Sequence, residues 1–267
     1  MRSIAIMNQK GGVGKTTTAV NVSAALASTG QRVALIDLDP QAHASLHFGL
    51  EPRPGTPTIY EVLLGKASLA EVRREVAENL FVVGSSLDLA AAEVELAGVV
   101  GREVILRDKL GEDDFPVDYL LIDCPPSLGV LTLNALAAVE EVFIPLQPHF
   151  LALHGLSKLL ETIDLVARRL NGRLRLSGVI LCMYDVNTRL AAEVSQDVDE
   201  FFRNARCEKT PWANTQTFQT RIRRNIRLAE APSFGQSIFQ YAPGSSGAED
   251  YGRLAMEILG VSTPAES

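Results

Sequence analysis

The stretch Asn8-Gln9-Lys10-Gly11-Gly12-Val13-Gly14-Lys15-Thr16-Thr17 decides the fold. Residues 3–7 (SIAIM) ahead of it form a short apolar run that reads as a buried strand. Residues 16–28 behind it are Ala-rich, with Ala19, Val20, Val22 and Leu26 at helical spacing and Gly30 as a stop. Strand, glycine-rich turn and helix are the context in which a chain cradles phosphate. The glycines of the segment Gly11, Gly12, Val13, Gly14 let backbone N–H groups turn inward. Lys15 is placed to set its ammonium between phosphates. The Thr16 hydroxyl can ligate Mg²⁺, with Thr17 in the same first turn, and the helix N-terminus adds partial positive charge. The common pattern G-x-x-x-x-G-K-[ST] requires glycine at position 9. This chain has Gln9 and then Lys10, a second lysine ahead of the glycines.

Working outward, runs 32–37 (RVALID), 79–84 (NLFVVG), 118–123 (DYLLID), 141–146 (EVFIPL) and 176–183 (LSGVILCM) read as further strands. Helical patterns fall near 86–110, 127–138, 153–170, 190–203 and 248–259. Strands that are apolar throughout, alternating with helices, predict an α/β, doubly wound, mostly parallel sheet with helices on both faces. One domain is expected over 1–260, with a flexible tail at 261–267 and loops at 50–58 and 206–217. Asp123 ends one apolar run, where it can hold Mg²⁺ through water. Asp37 and Asp39 end another, where one of them can orient a water attacking a γ-phosphate.

Composition agrees with an ordinary globular protein. The 267 residues are 46% hydrophobic, and 25 basic against 32 acidic side chains leave a net charge of −7. This excludes wholesale disorder and a wholly basic nucleic-acid coat, but not a local basic patch. No apolar run approaches the ~18 residues of a membrane span. Cys124, Cys182 and Cys207 show neither metal-like nor C-x-x-C spacing. An odd count without a secretion signal fits a reducing cytoplasm.

Taken in order, NQKGGVGKTTTAVN (8–21), IDLDPQ (36–41), LLIDCPPSLGVLTLNAL (120–136), IPLQ (144–147), ALHGL (152–156), MYD (183–185), RRNIRLAEAPSFG (223–235) and GAEDY (247–251) resemble the ParA/Soj group of deviant-Walker-A ATPases, relatives of MinD. The resemblance spans nearly the whole chain. It implies a P-loop ATPase fold, ATP and Mg²⁺ as cofactors, and an ATP-driven sandwich homodimer. It further implies non-specific binding of double-stranded DNA, a ParB-like DNA-bound activator of hydrolysis, and a cytoplasmic, nucleoid-associated protein. Lys10 matches the signature lysine that reaches the partner's phosphates. Lys15 and Thr16 match the phosphate and Mg²⁺ residues, Asp39 the carboxylate that activates water, Asp37 and Asp123 positions near the metal, and Asn225 a position at the adenine.

A DNA patch is expected at Arg221, Arg223, Arg224 and Arg227. Between 209 and 229 the chain has five basic residues and no acidic one. Three features depart from the family pattern. Asn187 stands where the family places an arginine. Arg223 replaces a proline beside the base. Residues 204–215, with the only tryptophan, Trp212, look like a surface insertion. Two other readings compete: a MinD-like regulator cycling on membranes, and an ATP-switched scaffold without DNA binding. The membrane reading needs a basic amphipathic C-terminal helix, yet the last twenty residues carry one arginine against four acids.

Overall fold

A computed structural model describes residues 1–261 except 52, 54, 115, 150–154 and 207–208. Most of the ALHGL motif and nearly all of the expected tail thus lie outside the described residues. In chain order the elements are β1 (Arg2–Ile6), α1 (Lys15–Ser28), β2 (Val33–Asp37), α2 (His43–His47), α3 (Ile59–Leu63), α4 (Leu69–Val72), β3 (Arg73–Ala77), β4 (Leu80–Val83), α5 (Leu89–Glu95), α6 (Ile105–Glu112), β5 (Tyr119–Asp123), α7 (Val130–Ala138), β6 (Glu141–Leu146), α8 (Leu156–Arg169), β7 (Arg175–Tyr184), α9 (Arg189–Ala205), β8 (Gln216–Thr217), β9 (Ile222–Arg223), α10 (Ile226–Glu230), a 3-10 turn (Ala231–Phe234), α11 (Ile238–Tyr241) and α12 (Ser246–Leu259).

The strands form one sheet in the order β3-β4-β2-β5-β1-β6-β7-β8, with β9 beside the far end of β7. Every pairing is parallel except β3 with β4. Successive side chains of a strand point to opposite faces, and here both faces are apolar. Ala5, Ile36, Leu120 and Ile122 join the core under α3 and α5–α9. Ile4, Ile6, Leu35 and Leu121 join the core under α1, α11 and α12. The α/β, mostly parallel architecture read from the sequence is the observed one.

The structure corrects one local expectation and adds two local details. The helical pattern over 86–110 is two helices, α5 and α6, separated by a turn in which Gly101 sits at φ +76°. The run ahead of β4 is a strand, β3, hidden from sequence reading by its charged composition (RREVA). The segment 204–215, expected as a surface insertion, makes contacts of its own with the body. Asn204 and Ala205 finish α9, and beyond 208 the chain is fastened to β7. The Leu176 N–H donates to the Pro211 carbonyl, and the Thr215 hydroxyl donates to the Leu176 carbonyl. Trp212 packs against the core.

Candidate active site

Strand register assembles the site. Asp123 at the end of β5 lies opposite Ile6 of β1 on one side and Asp37 of β2 on the other. The glycine loop leaving β1, the Asp37–Asp39 segment and Asp123 therefore meet at the carboxyl edge of the sheet, where parallel α/β sheets bind ligands. In the loop, Gly12 and Gly14 take φ +73° and +97°, the left-handed region that disfavours other residues. Gly14 is the N-cap of α1 and offers no side-chain cap, so first-turn N–H groups remain for an anion. A Cβ on Gly11 or Gly12 would meet nothing within 4 Å, so the loop faces open space that phosphate can occupy. Asn8 fixes the loop's entry, accepting from the Lys10 N–H at 3.0 Å and donating to the Pro145 carbonyl at 2.8 Å.

Lys15 is buried, and its ammonium donates back across the loop to the Lys10 carbonyl at 3.2 Å. Burial lowers its pKa, while the charges of Asp123 and Asp39 oppose the shift. Asp123 is fully buried, and neither carboxylate oxygen has a hydrogen-bond partner. Burial first, then the charge of Asp37, pushes its pKa well above the carboxylate range. The Thr16 hydroxyl is close enough to pull it back without forming a hydrogen bond of full geometry. Two unpartnered buried oxygens beside a threonine hydroxyl and a phosphate loop suit a hydrated Mg²⁺, which keeps several waters and few protein ligands. The described residues contain no cage of three or more His, Cys, Asp or Glu ligands, and such an ion needs none.

Asp37, expected near the metal, lies opposite Asp123 in the register and has both carboxylate oxygens engaged by protein donors. Its Oδ1 accepts from the Asp39 N–H at 3.1 Å. Its Oδ2 accepts from the Ser45 N–H at 2.8 Å and the Ser45 hydroxyl at 2.7 Å. Burial raises its pKa, and these three donors work against the rise. Asp39 is the more accessible of the two, 8% exposed against 0%. One of its oxygens accepts from the Gln41 N–H at 2.9 Å.

Beside Gly14 and Thr17 opens a cavity of about 340 Å³, walled by Met183, Ile222, Asn225, Leu228 and Tyr251. It is apolar and adjoins the phosphate loop, as a base pocket must. Asn225 stands in its wall, but its amide is engaged. Oδ1 caps α10 through the Arg227 N–H, and Nδ2 donates to the Ser246 hydroxyl. A larger cavity, about 610 Å³, lies past the Asp39 turn between Gln41, Leu46, Arg53 and Ser86, and contains no loop residue.

Lys10 is exposed at the mouth of the site, its ammonium 2.6 Å from Nε2 of His149. The arginines of the expected DNA patch are not equivalent. Arg223 is clamped by Asp250 and Glu249, and Arg227 by Glu230. Arg221 folds over the Tyr184 ring and bonds to the Phe218 carbonyl. Arg224 makes no ion pair among the described residues, nor does Arg189 at the start of α9, two residues past Asn187. Sequence reading gave no separate role to Asn8, Ser45 or His149. Short polar side chains carry no signal until the fold shows what they touch.

A model of the AAA domain family matches residues 1–176. Over 256 residues the chain is 44% identical to the sporulation initiation inhibitor protein Soj of Bacillus subtilis, covering 96% of this chain and 97% of that one. Over 259 residues it is 44% identical to the chromosome-partitioning ATPase Soj of Treponema pallidum, covering 97% of each. Among solved structures, cobyrinic acid a,c-diamide synthase from Mycobacterium smegmatis with bound ADP and magnesium matches with a TM-score of 0.82 and 34% identity. That match covers 97% of this chain and 94% of the other.

Proposed function

The chain belongs to the Soj/ParA family of chromosome-partitioning ATPases and uses ATP with Mg²⁺; from that premise we propose that ATP draws two copies into a sandwich dimer that binds duplex DNA without sequence preference and lets go after hydrolysis. Lys15 and the N–H groups of the loop hold the phosphates. Thr16 and Asp123 hold the metal, the latter through water. Asp39 orients the attacking water. The magnesium ion, when bound, neutralises charge that builds on the phosphate oxygens. The apolar pocket at Met183 and Tyr251 takes the base.

The observation that carries the dimer is Lys10. It stands exposed at the mouth of the site, and among the described residues its hydrogen-bonded side-chain partner is an imidazole rather than a carboxylate. Exchanging that contact for a partner's phosphates gives a charged acceptor for an uncharged one, and only while the γ-phosphate is present. Dimerisation then doubles the arginines offered to DNA. With Arg221 and Arg224 from each copy the salt slope is about −4, and with Arg189 as well about −5, at roughly −0.9 per phosphate contact. A ParB-like partner bound to DNA would trigger hydrolysis, and nucleoid association would follow.

The membrane-cycling reading loses its helix, because α12 buries Tyr251, Leu254, Ala255 and Ile258 against the body. No helix among the described residues is long and apolar enough to cross a membrane. The test is binding of random-sequence duplex by Asp39→Ala protein with ATP·Mg²⁺, with ADP and without nucleotide, across a salt series. Binding confined to ATP supports the cycle. An ATP dimer with no DNA binding leaves the scaffold reading standing.

A further inference from the structure

The turn that carries Asp39 is closed by its own bond, the Ala42 N–H donating to the Asp39 carbonyl at 2.9 Å, and it is also tied to the sheet from outside. It closes at Ala42, which sits at φ +54° and ψ +29°, a conformation that residues with a Cβ rarely adopt. The next element, α2, is a helix of five residues, too short to impose order. One buried hydroxyl links this turn to the loop after β4. Ser45, 1% exposed, donates to Asp37 Oδ2 at 2.7 Å while its oxygen accepts the Ser85 N–H at 2.8 Å. Its own N–H makes a second bond to Asp37. The other oxygen of Asp37 holds the backbone of Asp39. The chain of contacts therefore runs from the loop after β4, through Ser45 and Asp37, to the Asp39 backbone. Asp39 spends one oxygen on Gln41, and the other takes no protein donor among the described residues.

We propose that Ser45 is a positioning residue for ATP hydrolysis: through Asp37 it sets the 39–42 turn so that the unengaged oxygen of Asp39 meets the attacking water. This rests on the reading of Asp39 as the water-orienting carboxylate. Neither Ser45 nor Asp37 needs to touch nucleotide for this role. Without the hydroxyl, Asp37 keeps its place in β2 but loses a donor, the Ser85 N–H loses its acceptor, and the strained turn can relax. A displacement near 1 Å at a reacting group is enough to slow chemistry by about 100-fold.

The experiment measures single-turnover hydrolysis of ATP·Mg²⁺ and, separately, affinity for ADP·Mg²⁺ by calorimetry. Ser45→Ala is expected to hydrolyse about 10- to 100-fold more slowly while binding ADP within about 3-fold of the parent. Ser45→Thr, which keeps the hydroxyl, should recover most of the rate. In an Asp39→Asn background, Ser45→Ala should bring no further loss, since both act through one group. If Ser45→Ala yields no cooperative thermal transition, Ser45→Cys, close in volume and a weak donor, takes its place in every arm. Hydrolysis at the parental rate in Ser45→Ala overturns the proposal. So does an equal loss of ADP affinity, failure of Ser45→Thr to rescue, or an additive loss on Asp39→Asn. Should Asp39→Asn itself hydrolyse at the parental rate, the reading of Asp39 fails first. A slow Asp39→Asn beside a normal Ser45→Ala removes only the positioning role.

Discussion

Arg223→Ala separates a cation that faces DNA from one that holds the fold. The Arg223 guanidinium meets Asp250 through Nε at 3.0 Å and a terminal nitrogen at 2.6 Å, and the same nitrogen meets Glu249 at 2.6 Å. Its backbone N–H donates to Asp250 as well. The Asp250 side chain is 5% exposed and that of Arg223 40%, so the pair lies between a surface bridge and a buried one. Surface pairs contribute about 0–1 kcal/mol and breaking a buried pair costs about 3–5, which places this loss at about 2 kcal/mol. For a chain of this size that lowers Tm by roughly 4–8 °C. Because its charge is already met by two carboxylates, removing Arg223 should leave the salt slope of DNA binding unchanged. Arg224→Ala should do the reverse, reducing the slope by about 2 for the two copies in a dimer with little change in Tm. Scanning calorimetry and a salt titration on both variants decide the matter. If Arg223→Ala melts with the parent and flattens the salt slope as Arg224→Ala does, the ion-pair reasoning is wrong.

Lys10→Ala should bind ATP with near-parental affinity yet stay monomeric by light scattering under conditions where Asp39→Ala accumulates as a dimer; a Lys10→Ala dimer of equal stability would remove the trans role from this lysine. His47 gives a pH dependence. Its ring is buried, Nε2 has no partner, and burial lowers its pKa from 6.5 to about 4 against a supporting bond to the Gln236 backbone. The folded protein therefore keeps His47 neutral where the unfolded chain takes up a proton. Its contribution to stability is complete above 6.5, falls as pH drops from 6.5 to about 4, and levels off below, about 3 kcal/mol in all. His47→Gln should flatten the urea midpoint across that window, and a variant with the parent's pH slope would assign the loss to other groups.

Much of this architecture was legible because its decisive signals are local. An apolar strand, a glycine loop and a helix are adjacent in the chain, and Asp37 and Asp123 close their own strands. What could not be read depends on distance along the chain. Arg223 and Arg227 look alike in a basic run, yet one is answered by Asp250 twenty-seven positions away and the other by Glu230 three positions on. Ser45 is an ordinary serine until the sheet sets Ser85 beside it. The T-x-x-E at Thr58–Glu61 and S-x-x-E at Ser68–Glu71 are true capping boxes, but the helices they start are only five and four residues long, below the length at which periodicity shows. The strand Arg73–Ala77 failed for the opposite reason: its pairing is strong, but arginine and glutamate on an outer strand mimic a solvated helix.

That outer strand also limits how the sheet can meet other sheets. Outer strands carry unsatisfied backbone groups and invite pairing with a second chain, as in fibrils. Here one margin is a five-residue antiparallel strand bearing Arg73, Arg74 and Glu75, bent by an irregular register between Glu75 and Ala77. The opposite margin ends in strands of two residues, β8 and β9. Neither margin is a flat apolar template onto which a neighbour could add its own strand. At high concentration the folded chain is thereby protected from growing edge to edge into a continuous ribbon.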